Sequence, residues 1–257
     1  MRNSYLSYLY LSLFFWTFTS CTRETDTDSA IKAKEALLKS YEYYPVSIGK
    51  SWTYQTDTIY YFDNLGMIEI DTISLQIRET LSDTFRTIDN RLVYRLLKEI
   101  KDNSTGSWNI TNVYSLMHST NQLIRTEENI SLIDLVFPLD QNTSWDPTAL
   151  IDANTNYLVR GKGIQLFKDW PSAYIEDTYN ATLFGKDRDV VVVRDVSPDD
   201  NIILYQSSQR TYARGIGLLS KEQTFFTTQK TDLADLPWEE KADIGFKSVQ
   251  TLIDFTE

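Results

Sequence analysis

From Trp52 onward the chain is dominated by Thr, Tyr, Ile and Val in apolar–polar alternation, broken at short intervals by Gly, Pro, Asn and Asp. Alternation at period two sends successive side chains to opposite faces, so each run reads as a strand with one buried face. The runs cover residues 52–62, 67–80, 91–101, 108–117, 122–127, 157–167, 173–184, 190–196, 202–206, 217–227 and 249–255. Turn-forming clusters such as Asp63-Asn64-Leu65-Gly66 and Ser197-Pro198-Asp199-Asp200 punctuate them, which argues for antiparallel neighbours. The expected fold is mainly β: a curved antiparallel sheet, a half-barrel or open barrel-like meander. A short N-terminal helix over residues 31–40, where helix formers cluster, precedes it.

Two local patterns sharpen this picture. Ile68 and Ile70 share one parity, whereas Ile73, Leu75 and Ile77 share the other. One strand facing one core then needs a bulge near Asp71-Thr72. The segments Tyr44-Pro45-Val46-Ser47-Ile48-Gly49-Lys50-Ser51-Trp52 and Phe137-Pro138-Leu139-Asp140-Gln141-Asn142-Thr143-Ser144-Trp145 echo one another. Both read as tight turns that launch a strand and send a tryptophan into the core. Gly49 and Asn142 stand where a left-handed backbone is best tolerated.

The first twenty residues carry Arg2, no acid, and an apolar, aromatic-rich stretch ending in Thr19 and Ser20 before Cys21. This is the layout of a signal peptide, too short and too interrupted by serine to be a membrane span. Phe18-Thr19-Ser20-Cys21 resembles the lipobox of bacterial lipoproteins, with Phe18 where the usual pattern has Leu. The resemblance implies cleavage before Cys21, lipidation of its thiol, and anchoring to the outer membrane, facing the periplasm or the cell surface. The domain plan is a signal peptide over 1–20, a lipidated flexible tether over 21–30 and a single mostly β domain over 31–257. Cys21 is the sole cysteine, so burial and not disulfides holds the domain. The tether acids Glu24, Asp26 and Asp28 resemble surface-export signals of the Bacteroidota. Asp28-Ser29-Ala30 resembles the O-glycosylation site of that group, with a plain solvated linker as the alternative.

Lys and Arg total 25 against 36 acids. Removing Arg2 with the signal peptide leaves 24 minus 36, or −12. A surface of that sign repels phosphate backbones and anionic lipid, which argues against nucleic-acid partners and leaves membrane attachment to the acyl chains on Cys21. His118 is the only histidine, which excludes sites built from several imidazoles. The chain holds no nucleophile elbow, dinucleotide fingerprint or Walker loop, and Arg214-Gly215-Ile216-Gly217-Leu218 reads as a turn or bulge in β structure. No catalytic residue, no metal ligand and no cofactor is assigned. Asp195, Asp199 and Asp200 around Pro198, and Asp140, Asn142 and Asp146, are acid-rich loops of the kind that form turns, with calcium binding as the alternative.

Tyr44-Pro45-Val46-x-Ile48-Gly49-x-x-Trp52-x-Tyr54, with Tyr212-Ala213-x-Gly215-Ile216-Gly217-Leu218-Leu219-x-Lys221-Glu222, resembles motifs of Bacteroidota lipoproteins with a DUF3108-like curved β-sheet domain. The resemblance implies a half-barrel, and that family has no established activity to transfer. The motif residues themselves read as structural: Gly215 and Gly217 for backbone freedom, Trp52 and Trp145 for buried area.

Three functions follow. The first is a non-catalytic binding or scaffold lipoprotein. The second is a carrier of an apolar or amphiphilic ligand in the concave face, which twelve Phe, sixteen Tyr and six Trp can line or simply fill. The third is a glycan-acting enzyme with paired carboxylates, which requires two acids roughly 5–10 Å apart in a cleft. A protein partner at an exposed strand edge fits all three.

Overall fold

The structure, a computed structural model, describes residues 24–256. Cys21 and the signal peptide lie outside the described residues. Helix α1 (Glu24–Tyr41) begins before the expected start at Ile31 and takes in residues 24–30 of the segment read as tether. Lys39 falls in its last turn, where the helix dipole favours positive charge.

Behind it the chain climbs and descends through β1 (Ser51–Asn64), β2 (Met67–Arg86), β3 (Leu92–Lys101), β4 (Trp108–His118), β5 (Gln122–Glu127) and β6 (Ile130–Val136). The two-residue β7 (Ser144–Trp145) and a hairpin of β8 (Tyr157–Val159) and β9 (Lys162–Ile164) follow. The return is made by β10 (Ala173–Leu183), β11 (Lys186–Asp200), β12 (Leu204–Ala213) and β13 (Gly217–Thr227). The short α2 (Trp238–Lys241) then leads to β14 (Ile244–Phe255).

Twelve of these strands make one antiparallel sheet in the order β6-β5-β4-β3-β2-β1-β14-β13-β12-β11-β10-β7. The central pairing of β1 with β14 joins the two ends of the domain's sequence, from Trp52 opposite Phe255 to Phe62 opposite Ile244. The sheet curls until its outer members meet. The Ile133 N–H of β6 bonds the Pro147 carbonyl just past β7, at 3.0 Å. The result is a nearly closed barrel, which hides strand edges that would otherwise recruit other chains.

Several expectations are corrected. No bulge interrupts β2 at Asp71-Thr72, because its pairing with β1 runs in unbroken register from Thr80 to Met67. The two parities serve two faces instead. Ile77 is buried in the interior, whereas Ile68 packs on an outer cluster of Tyr61, Phe226, Trp238 and Ala242. The register of β2 shifts farther on, between Leu81 and Asp83 against β3. The run 157–167 is a hairpin rather than one strand. Arg160 (φ 51°) and Gly161 (φ 84°) make a turn with two left-handed residues, which matches the twist of paired strands. The turn expected at Ser197-Pro198-Asp199-Asp200 is part of β11, whose register shifts around Pro198 absorb the missing N–H.

The echoed segments do send both tryptophans inward, Trp52 at the start of β1 and Trp145 on β7. Both join one core cluster with Tyr44 and Phe137, and their exposures are 1% and 7%. Gly49 is left-handed (φ 90°), but Asn142 is not among the residues of positive φ. Its backbone and side-chain amides both bond Asp140 Oδ1, at 2.8 and 3.0 Å, so a side-chain-closed turn replaces the left-handed one. Gly215 (φ 79°) and Gly217 (φ 115°) occupy conformations costly for any other residue. The Trp52 indole donates to the Ile216 carbonyl between them, at 2.6 Å.

Candidate binding site in the barrel lumen

The inner face of the central strands is layered. On β1 it passes from Trp52 and Tyr54 through Thr56 and Thr58 to Tyr60 and Phe62. Its partner β14 passes from Leu252 through Gln250 and Ser248 to Phe246 and Ile244. On β12 the run is Tyr212, then Arg210, Ser208 and Gln206, then Leu204. Each strand is thus apolar at both ends and polar in the middle.

The first apolar layer belongs to the large core beneath α1. There Tyr41 donates to the Thr120 carbonyl at 2.8 Å, and Ser40 Oγ accepts from Leu139 N–H at 2.9 Å. The other apolar layer lies under the β8–β9 hairpin, where Val159, Ile164 and Leu166 cover Tyr60, Phe62, Phe225 and Phe246. Arg160 pairs with Asp71 at the hairpin tip, and its guanidinium lies 5.6 Å from the centre of the Tyr60 ring.

Between the layers lies a cavity of about 260 Å³. Engineered apolar cavities of roughly 150 Å³ admit benzene, so this one has room for a larger guest. Its lining includes four carboxylates, Glu79, Glu127, Asp134 and Asp195, and four cationic groups, Lys98, Arg125, Arg210 and Lys221. Fully ionised, four minus four sums to zero. Leu132, Leu166, Phe167 and Trp170 give it an apolar side. A cleft of similar size between the hairpin and the inner face of β1 and β14 shares Leu166, Lys221, Gln223 and Gln250 with the cavity.

The guanidinium groups organise the polar layer. Arg125 forks onto Glu79 at 2.9 and 2.5 Å and turns its Nε–H to Glu127. Arg210 forks onto Asp195 at 2.9 and 2.5 Å, while its remaining arm reaches Asp134 at 2.7 Å and Tyr212 Oη at 3.0 Å. Ser208 Oγ donates to Asp195 at 3.0 Å. Burial works against the charge of both arginines. The carboxylates outweigh it, chiefly Glu127 and Glu79 for Arg125 and Asp195 for Arg210, and raise both above the ordinary guanidinium value. Burial pushes the Asp134 carboxyl up, against the pull of Arg210 and Arg125.

Two polar groups of this lining stand apart. Tyr44 Oη and Trp170 Nε1 are buried and have no hydrogen-bond partner among the described residues. Burial raises the Tyr44 phenol well above its ordinary value, so it stays a neutral hydroxyl. Arg125 beside it pulls the other way, by its charge and by its contact with the phenol, without reversing the shift.

The acid-rich loops do not converge. Asp195 is inside the barrel, Asp200 accepts from the Trp238 indole at 2.9 Å, and the Asp199 side chain lies outside the described residues. Asp140 closes its own turn, and Asp146 bonds Thr148. Among the described residues no three His, Cys, Asp or Glu side chains gather as a metal site. His118 stacks on Phe137, with ring centres 4.9 Å apart, and burial lowers its pKa. The polar layer was not found from the sequence. Its signal was polar residues at the inward parity of otherwise apolar strands, as at Ser208 and Arg210.

No protein-family profile and no curated protein matches the chain. Solved structures that resemble it include the following two. One, provisionally described as a lipoprotein, is from Parabacteroides distasonis, with a TM-score of 0.39 and 12% identity. The other, provisionally described as an exported protein with a YmcC-like fold, is from Bacteroides fragilis, with a TM-score of 0.40 and 9% identity. Each comparison covers 83% of this chain and 98% of the other.

Proposed function

We propose that this protein is a non-catalytic binding protein of the cell envelope, tethered through lipid on Cys21, that carries a small amphiphilic ligand in its barrel lumen. The observation that carries the reading is the 260 Å³ cavity with apolar walls on one side, paired charges on the other, and two buried polar groups without partners. Pockets of mixed character with a few convergent polar groups are the usual form of ligand sites. The cleft beside the hairpin supplies a route from solvent. Kinship with Bacteroidota lipoproteins of the DUF3108-like type belongs to the same proposal and rests on the motif residues around Trp52 and Gly217.

Scaffolding alone gives no reason for a polar layer inside a barrel, where buried ion pairs are weak stabilisers compared with apolar packing. A glycan-acting enzyme needs carboxylates available to substrate, whereas Glu79 and Asp195 are held bidentate by arginine. The deciding experiment is native mass spectrometry of the protein purified from the cells that make it, before and after organic extraction. A stoichiometric extractable mass supports the carrier, and a bare protein in both spectra sinks it. For the anchor, Cys21→Ser should move the protein from the membrane fraction to the soluble fraction; a variant still sedimenting with membrane refutes the tether.

A further inference from the structure

We propose that the lumen takes an amphiphile with one anionic head group, a carboxylate, held by Lys221 between Arg210 and Gln250, with its apolar chain against Leu166, Phe167 and Trp170. This inference rests on the carrier reading and names its ligand class.

Strand register brings the head-group residues together. Lys221 on β13 is directly opposite Arg210 of β12 on one side and Gln250 of β14 on the other. All three line the cavity, so they share the inner face, where directly opposed side chains start about 5 Å apart at Cβ. Two residues along β13, Gln223 is opposite Ser208 and Ser248 in the same way. Lys221, Gln223 and Gln250 line both the cavity and the cleft beside the hairpin. The head group therefore sits where the two spaces join, at a half-buried lysine. Leu166 lines both spaces as well, and Phe167 and Trp170 continue the apolar wall inside the cavity.

Charge balances over the whole lining but not along this row. The four carboxylates gather on the two guanidinium groups, Glu79 and Glu127 on Arg125, and Asp195 and Asp134 on Arg210. Lys98, on the opposite wall, donates to the Tyr114 hydroxyl at 3.3 Å. Lys221 has no hydrogen bond or ion pair among the described residues, and Glu127 and Asp134 feel its charge only through space. Like charges directly opposite on a sheet destabilise it, so an anion between Lys221 and Arg210 relieves a repulsion built into the register. Arg210 makes four contacts with its five N–H groups, which leaves one for the guest. A cationic head group would meet two like charges here, and a neutral one would leave the ammonium as unpaired as before. A head group of higher charge would exceed the one free ammonium, in a chain with 36 acids against 25 basic residues.

The test uses the full-length protein at neutral pH and three probes that share one alkyl chain: decanoate, decanol and decylamine. Native mass spectrometry should show one decanoate bound, about tenfold tighter than decanol or decylamine. Lys221→Gln removes the charge but keeps a polar side chain, and should weaken decanoate binding about tenfold while leaving decanol unchanged. If decanol or decylamine binds as tightly as decanoate, or if Lys221→Gln leaves decanoate binding intact, the anionic-ligand inference is overturned while lumen binding stands. Equal losses for all three probes in the variant also overturn it, because the lysine would then shape the lumen without holding a charge. If none of the probes binds the unaltered protein, the carrier reading falls too. The comparison of head groups on the unaltered protein does not depend on any variant folding.

Discussion

The indole N–H of Trp145 donates to the main-chain carbonyl of Ile133 at 2.9 Å. These two residues sit on β7 and β6, the opposite ends of the twelve-strand order, so this bond crosses the seam of the barrel. Trp145→Phe keeps most of the buried ring but leaves the Ile133 carbonyl without its donor. The expected loss is about 1–3 kcal/mol in urea denaturation, with faster amide exchange along β6. Unchanged exchange in β6 would mean that the seam does not depend on this bond.

Arg210 is held between Asp195 and Asp134, all three buried. Arg210→Met strands two carboxylates in a low-dielectric interior and should cost about 3–5 kcal/mol. Replacing all three, with Asp134→Leu and Asp195→Leu, should recover most of that stability while abolishing the layer's polarity. Equal denaturation midpoints for the single and triple variants would contradict this account.

Acid should loosen the lumen through Glu127. Burial pushes its carboxyl up, but Arg125 and Lys221 outweigh that and bring it from 4.5 down to about 2. A depressed acid contributes stability above its unfolded value, and that contribution is lost as pH falls through the folded one. The window therefore runs from about pH 4.5 down to about 2. The side chain keeps 41% of its exposure, so screening limits the effect to about 1 kcal/mol or less. Asp134 acts in the opposite sense: with its pKa raised, its contribution is present at low pH and lost as pH rises through its folded value. Thermal melts across this window should show a shallower acid limb for Glu127→Gln, and an unchanged limb would exclude the pair as its cause.

Gly245 supports the outer cluster from within β14. A methyl group there would collide with the Phe226 ring and lie 2.8 Å from the Phe225 carbonyl oxygen. Gly245→Ala should therefore destabilise by about 1–3 kcal/mol and change the fluorescence of Trp238, which stacks on Phe226. Wild-type stability would show that β14 can shift at no cost.

Period-two alternation made most strands legible, and 122–127 and 217–227 coincide with β5 and β13. Strand β6 was missed because its connection to β5 is only Glu128-Asn129, both left-handed, a turn without glycine. Helical and strand propensities act within a few residues, so they show strands without showing how far the sheet closes. The parity of Ile68 and Ile70 was visible, but not the second apolar face awaiting Ile68, because α2 and Trp238 come from far along the chain.

By itself the sequence determined a β meander, the turn at Leu65-Gly66 and the inward tryptophans, because alternation and glycine act locally. Only the tertiary structure decided that the edges meet at Trp145 and Ile133 and that Arg125, 46 residues from Glu79, forms its fork there. An arginine or aspartate on a strand looks like a solvated residue until closure removes the water from one face. The lumen is therefore a property of the curl of the sheet, where distant polar residues must satisfy one another or a guest.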